Sequence, residues 1–162
     1  KPLIERVVTV TGKSLYNPSN FLVRIGTPVS ELIAAAGGLP GDTGKIINGG
    51  PMMGKAVSSP DIPVVKGSSG ILLIPEKESR RKKPTTCIRC SKCTVACPMG
   101  LEPYLLAKLS KLGMFDRTEG GHIMDCIECG SCQYTCPSGL PLLDFLRLGK
   151  QKTAHLIRTR KS

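Results

Sequence analysis

Cys87-Ile88-Arg89-Cys90-Ser91-Lys92-Cys93-Thr94-Val95-Ala96-Cys97-Pro98 returns with the same cysteine and proline spacing as Cys126-Ile127-Glu128-Cys129-Gly130-Ser131-Cys132-Gln133-Tyr134-Thr135-Cys136-Pro137. Two residues between successive sulfurs let one tight turn present three of them to a common centre, while the fourth points away. In two-cluster ferredoxins that fourth cysteine ligates the other cluster. The spacing therefore predicts two 4Fe-4S clusters. One is expected on Cys87, Cys90, Cys93 and Cys136, the other on Cys126, Cys129, Cys132 and Cys97.

Other uses of eight cysteines fit less well. A disulfide framework needs an oxidising compartment, and no secretory pattern is present. Structural zinc prefers two spaced pairs of ligands, not a triplet plus a fourth cysteine before proline, repeated twice. His122 and His155 are read as ordinary polar residues, because the cysteines complete both ligand sets. Ile88, Val95, Ile127 and Leu140 are expected to screen the clusters from water or to pack in the core, and Gly130 to let the backbone approach inorganic sulfide. Arg89 and Lys92 lie in the first triplet, Asp125 and Glu128 before and within the second. On charge alone, the first cluster should have the higher potential.

All eight cysteines lie after Glu76–Pro84, a polar run containing Arg80, Arg81, Lys82 and Lys83. That run reads as an exposed linker. Before it, Ile4–Val10 and Phe21–Ile25 read as strands. Thr27 offers an N-cap and Pro28 a first helical position for a helix with a Val29, Leu32, Ile33, Ala36 stripe, ended by Gly37 and Gly38. Shorter strands are expected at Lys45–Ile47, Val64–Val65 and Ile71–Ile74. The fold class is α+β: a small β-grasp domain (1–78), a basic linker (79–85) and an all-helical 2×(4Fe-4S) ferredoxin domain (86–162). In the last, Leu101, Leu105, Leu109 and Leu112 form one helical stripe with Pro103 near its start, and Leu142, Phe145 and Leu146 form another after Pro141.

Aromatic residues are 4% of the 162 and Trp is absent, so the apolar core is thin. The formal net charge is +11, and two clusters would bring it to about +7. A basic surface favours acidic electron carriers or an anionic membrane face by steering. Nucleic acid is not expected as a partner, because no recognition-helix or sheet-aromatic signature is present. No stretch approaches the roughly 20 apolar residues of a membrane-spanning helix. The chain starts at Lys1 without methionine and without a signal-peptide pattern, which reads as an excised or processed segment.

Asn48-Gly49-Gly50-Pro51-Met52-Met53-Gly54-Lys55-Ala56 superficially fits a phosphate loop. It fails at Ala56, which has no hydroxyl for Mg²⁺, and prolines occupy the place where a helix must start. A tight connection exposing Met52 and Met53 is expected instead. A cysteine-free β-grasp portion with this loop, a basic linker and two complete cysteine motifs resembles the C subunit of ion-translocating ferredoxin:NAD oxidoreductase (Rnf) complexes.

The resemblance implies an electron-transfer subunit on the cytoplasmic side of the inner (cell) membrane, held peripherally. Other subunits of a membrane redox complex and small electron carriers would be its partners. It further implies that FMN and NADH belong to an upstream domain. These 162 residues are therefore expected to carry the cluster wire, with no catalytic residue and no cofactor site beyond the clusters. Two alternatives stay open. One is a cobalamin reductase-like soluble electron-transfer flavoprotein fragment, and the other an iron-sulfur subunit of the succinate dehydrogenase or heterodisulfide reductase type.

Overall fold

Alternation along β1 (Glu5–Gly12) buries Val8 and Val10 and leaves Val7 exposed, as a strand with one face on a core requires. The computed structural model describes residues 2–160. The chain separates into two compact units, Lys1–Arg81 and Lys82–Ser162.

In the first unit, β2 (Ser19–Arg24) pairs antiparallel with β1, and β5 (Gly70–Pro75) pairs parallel with its other edge. β3 (Thr43–Asn48) then joins β5, and β4 (Lys55–Val57) joins β3, both antiparallel. The order is β2-β1-β5-β3-β4. Helix α1 (Val29–Ala35) buries Val29, Leu32 and Ile33 in a core shared with Val8, Val10, Ile46, Val64, Ile71 and Leu73.

Local chemistry departs from the sequence reading at three places. Thr27 does not cap α1, whose N-cap is Pro28. Carbonyls of the loop before β5 do that work, since Val29 N donates to Ile62 O at 2.9 Å and Ser30 N to Pro60 O at 3.0 Å. That same loop holds Val64, expected in a strand. It is buried, but pairs irregularly with residues 26–28 and lies outside the five-stranded sheet. The glycine loop, in turn, hides a strand. Gly49, at φ 110°, turns the chain between β3 and β4, and a Cβ on Gly54 would come within 2.4 Å of the Ile47 side chain. Met52 and Met53 are exposed at its tip.

The start of the expected linker is also ordered. Glu76–Ser79 forms a helical turn, α2, that packs on β3, with Lys45 Nζ donating to Ser79 O at 2.8 Å. Arg80 closes it through an i,i+4 pair with Glu76 at 3.1 Å.

Among the described residues of the second unit, every named element is a helix or helical turn. α3 (Lys92–Val95) and α6 (Ser131–Tyr134) are single turns inside the two cysteine motifs. α4 (Pro103–Lys111) and α7 (Leu142–Arg160) follow the motifs and pack on each other, with α5 (Phe115–Gly120) and a 3-10 turn (Ile123–Asp125) between them. The leucine stripe expected on α4 is rotated. Leu106, Ala107, Leu109 and Ser110 are buried, Leu105 is half-buried and Leu112 is 61% exposed.

Candidate metal centre

Each cysteine motif repeats one backbone path. After the first cysteine, the second and fourth residues take positive φ: Arg89 (54°) and Ser91 (59°) in one motif, Glu128 (56°) and Gly130 (81°) in the other. Such alternation turns backbone N–H groups toward the inside of the loop, a concavity suited to anionic sulfur. The one-turn helices α3 and α6 follow and pack against each other, and each motif closes on a positive-φ glycine, Gly100 (64°) or Gly139 (62°).

The two motifs are interlocked. A single apolar cavity is lined by Cys126, Cys129 and Cys132 of the second and by Cys97 of the first, with Leu101, Leu106, Leu143 and Leu146 behind them. At the other end, Thr85 N donates to Ser138 O at 2.9 Å and the Ser138 hydroxyl donates to Thr86 O at 3.0 Å. These bonds hold the residues just before Cys87 against those just after Cys136. Cys132 belongs to the buried core of this unit, and Cys93, Cys97, Cys126 and Cys136 pack against that core. Cys87 and Cys90 are exposed, and no cysteine is in a disulfide. Among the described residues, no three His, Cys, Asp or Glu converge tightly enough to hold a single ion.

The thiols differ in acidity. Burial pushes Cys132 up to about 11. Burial also raises Cys126, partly offset by the backbone N–H of Glu128 and the charge of Lys150. Cys129 is lowered, because the hydroxyl and backbone N–H of Ser131 stabilise its thiolate. Eight soft sulfur donors, N–H groups turned into both loops and an apolar wall fit iron-sulfur clusters well.

Around this site the sequence reading is redistributed. Leu140 packs against the cysteine-bearing core. Ile88 and Val95 are 66% and 86% exposed and contribute little screening, whereas Ile127, 52% exposed, lines the cavity beside Cys126. His122 sits at positive φ before the 3-10 turn, and His155 is exposed on α7. Two cationic side chains beside the second motif escape motif reading. Arg147 Nε lies 3.1 Å from Glu128 Oε2, and Lys150 Nζ lies 4.0 Å from Glu128 Oε1 and donates to Cys126 O at 2.6 Å. Glu128 is therefore not the unopposed negative charge on which the expected order of potentials rested.

Sheet unit and cysteine unit together define a two-part polypeptide, and family models match both parts. An SLBB domain matches residues 7–56 and a 4Fe-4S dicluster domain matches residues 79–137. The chain is 44% identical over 151 residues to the C subunit of the Na(+)-translocating ferredoxin:NAD(+) oxidoreductase complex of Acetobacterium woodii, covering 93% of this chain and 34% of that relative. To the C subunit of the ion-translocating oxidoreductase complex of Yersinia enterocolitica it is 49% identical over 151 residues, 93% of this chain and 22% of the relative. The proton-translocating counterpart from Clostridium ljungdahlii is 45% identical over 118 residues, 73% of this chain and 26% of the relative. Over the segment it spans, which is about a third or less of the length of these curated relatives, the chain is homologous to these C subunits.

Proposed function

We propose that this chain is an electron wire of an ion-translocating ferredoxin:NAD oxidoreductase complex, with one 4Fe-4S cluster on Cys87, Cys90, Cys93 and Cys136 and another on Cys126, Cys129, Cys132 and Cys97. The observation that carries this reading is the interlocking of the motifs, with Cys97 lining the same cavity as Cys126, Cys129 and Cys132. When bound, the clusters supply reversible one-electron chemistry. The chain's own residues do the rest. The paired loops aim backbone N–H groups at anionic sulfur, and Leu101, Leu106, Leu143 and Leu146 keep water from one side of the cavity.

The first unit is read as a β-grasp domain. The parallel β1/β5 pair, the β2-β1-β5-β3-β4 order and the helix against the core support that reading. Its role is docking against neighbouring domains or subunits. Other subunits of the complex and small acidic carriers are the proposed partners, and the cytoplasmic membrane face is the proposed location. Among the described residues, no helix is long and apolar enough to cross a membrane. FMN and NADH are assigned to a domain outside these 162 residues.

Anaerobic reconstitution followed by iron and sulfide analysis and EPR tests the wire. About eight irons per chain are expected, four for each cluster. Cys97→Ser should damage the cluster of the second motif although it lies in the first. Tight binding of two zinc ions without cluster absorbance would refute the reading, and loss of the first-motif cluster alone would refute the crossed ligand sets.

A further inference from the structure

The two repeats differ in one electrostatic respect that their cysteines do not reveal. Glu128 in the second loop occupies the position held by Arg89 in the first. Its side chain is only 33% exposed and its carboxylate is clamped by two cations of α7, Arg147 at 3.1 Å and Lys150 at 4.0 Å. The Lys150 side chain is itself 28% exposed, and its ammonium also donates to the carbonyl of Cys126 at 2.6 Å. The lysine in the matching place after the first motif, Lys111, is exposed and lies instead over the Phe145 ring, 5.9 Å from its centroid. A fixed, partly desolvated cation thus touches the backbone of one motif, while the first motif's own cations, Arg89 and Lys92, are exposed to screening solvent.

Resting on the ligand sets proposed above, we infer that Lys150, with Glu128 as its counter-charge, is a positioning residue that sets the potential of the second-motif cluster. One-electron reduction adds one negative charge to a cluster. A cation held at the backbone of its first ligand favours the reduced form, and the carboxylate beside that cation limits the effect. Lys150 also fixes the Cys126 carbonyl, so it acts on the loop's geometry and on its charge at once.

The two contributions separate by substitution in the reconstituted full chain. Both clusters are titrated by EPR at controlled potential with dithionite as reductant, and the second-motif signal is identified by its response to Cys129→Ser. Lys150→Met should disfavour reduction of that cluster about tenfold, a fall of about 59 mV for one electron, and leave the first-motif cluster unmoved. Lys150→Arg should restore the potential, and Lys152→Met, an exposed lysine on the same helix, should not alter it. Glu128→Gln should move the same cluster upward, and it decides the matter if Lys150→Met fails to hold iron. Full iron content with an unmoved second-motif potential in Lys150→Met, equal shifts of both clusters, or no rise in Glu128→Gln would each overturn the inference alone. A wild-type chain that binds zinc and no clusters would overturn the ligand reading beneath it.

Discussion

Cys129 and Cys132 stand on opposite sides of the ordinary thiol range although only Gly130 and Ser131 separate them. Ser131 stabilises the Cys129 thiolate, whereas burial to 6% exposure pushes Cys132 up to about 11. Thiolate is the reactive form, so in the metal-free chain Cys129 should be alkylated first. At pH 8 a thiol titrating near 11 is ionised in only about one molecule in a thousand. Labelling of Cys132 should therefore rise roughly tenfold per pH unit toward about 11, while that of Cys129 levels off at lower pH. Iodoacetamide labelling read by mass spectrometry checks this, and cluster loading should protect both residues. Equal labelling of the two at pH 8 would show that the apo loop opens. At this scale the ligands were legible, because metal spacing is local in sequence. Lys150 and Ser138 were not, since their hydrogen bonds join positions 24 and 52 residues apart. Nothing in either motif points to them.

Where α4 meets α7, the contact is made by small residues. A Cβ on Gly149 would lie 2.0 Å from Ser110 Oγ and 2.6 Å from the tip of Ile123, so the helices approach as closely as they do only because that side chain is absent. Gly149→Ala should then cost about 1–3 kcal/mol through overpacking, despite alanine's better helix propensity. Gly120→Ala on α5, where nothing lies within 4 Å of the new Cβ, should be neutral or stabilising by up to about 1 kcal/mol. Chemical denaturation of the cluster-loaded protein compares the two, and a neutral Gly149→Ala would mean that the helices slide apart without penalty. The same contact explains what the leucine pattern missed. Ser110 and Ala107 face the core because close approach selects small residues, which leaves Leu112 in solvent. Along α7 the polar Thr153 is fully buried because its hydroxyl bonds that of Thr118 at 2.7 Å. Hydrophobic periodicity found the start of this helix at Leu142 and could not follow it through such a pair. β4 was hidden for a related reason. Lys55–Val57 reads as the tail of a glycine loop until pairing with Ile46–Asn48 gives it a role.

The whole chain combines two kinds of stability, and this gives the removal of iron an expected signature. The first unit holds its own apolar core, from Val8 and Val10 through Leu32 and Ile33 to Ile71 and Leu73, with no cysteine in it. The division into a cysteine-free half and a cysteine-rich half was visible in composition alone. In the second unit the cysteines are themselves core material, with Cys132 buried and four others packed against the same cluster of leucines. Releasing the clusters exposes or protonates those sulfurs and removes the links between the motifs. A metal-dependent core of this size should then loosen. Chelation after mild oxidation should thus leave amide protection in β1, β3 and β5 close to its loaded value. Protection should fall in α3, α6 and the facing turns of α4 and α7, where Leu106, Leu142 and Leu146 meet the cysteines. Hydrogen exchange read peptide by peptide, before and after iron removal, makes the comparison within one molecule. Unchanged exchange in the second unit would mean that its helices are self-sufficient. A parallel loss in the sheet would mean that the two units unfold as one, contrary to their separate cores.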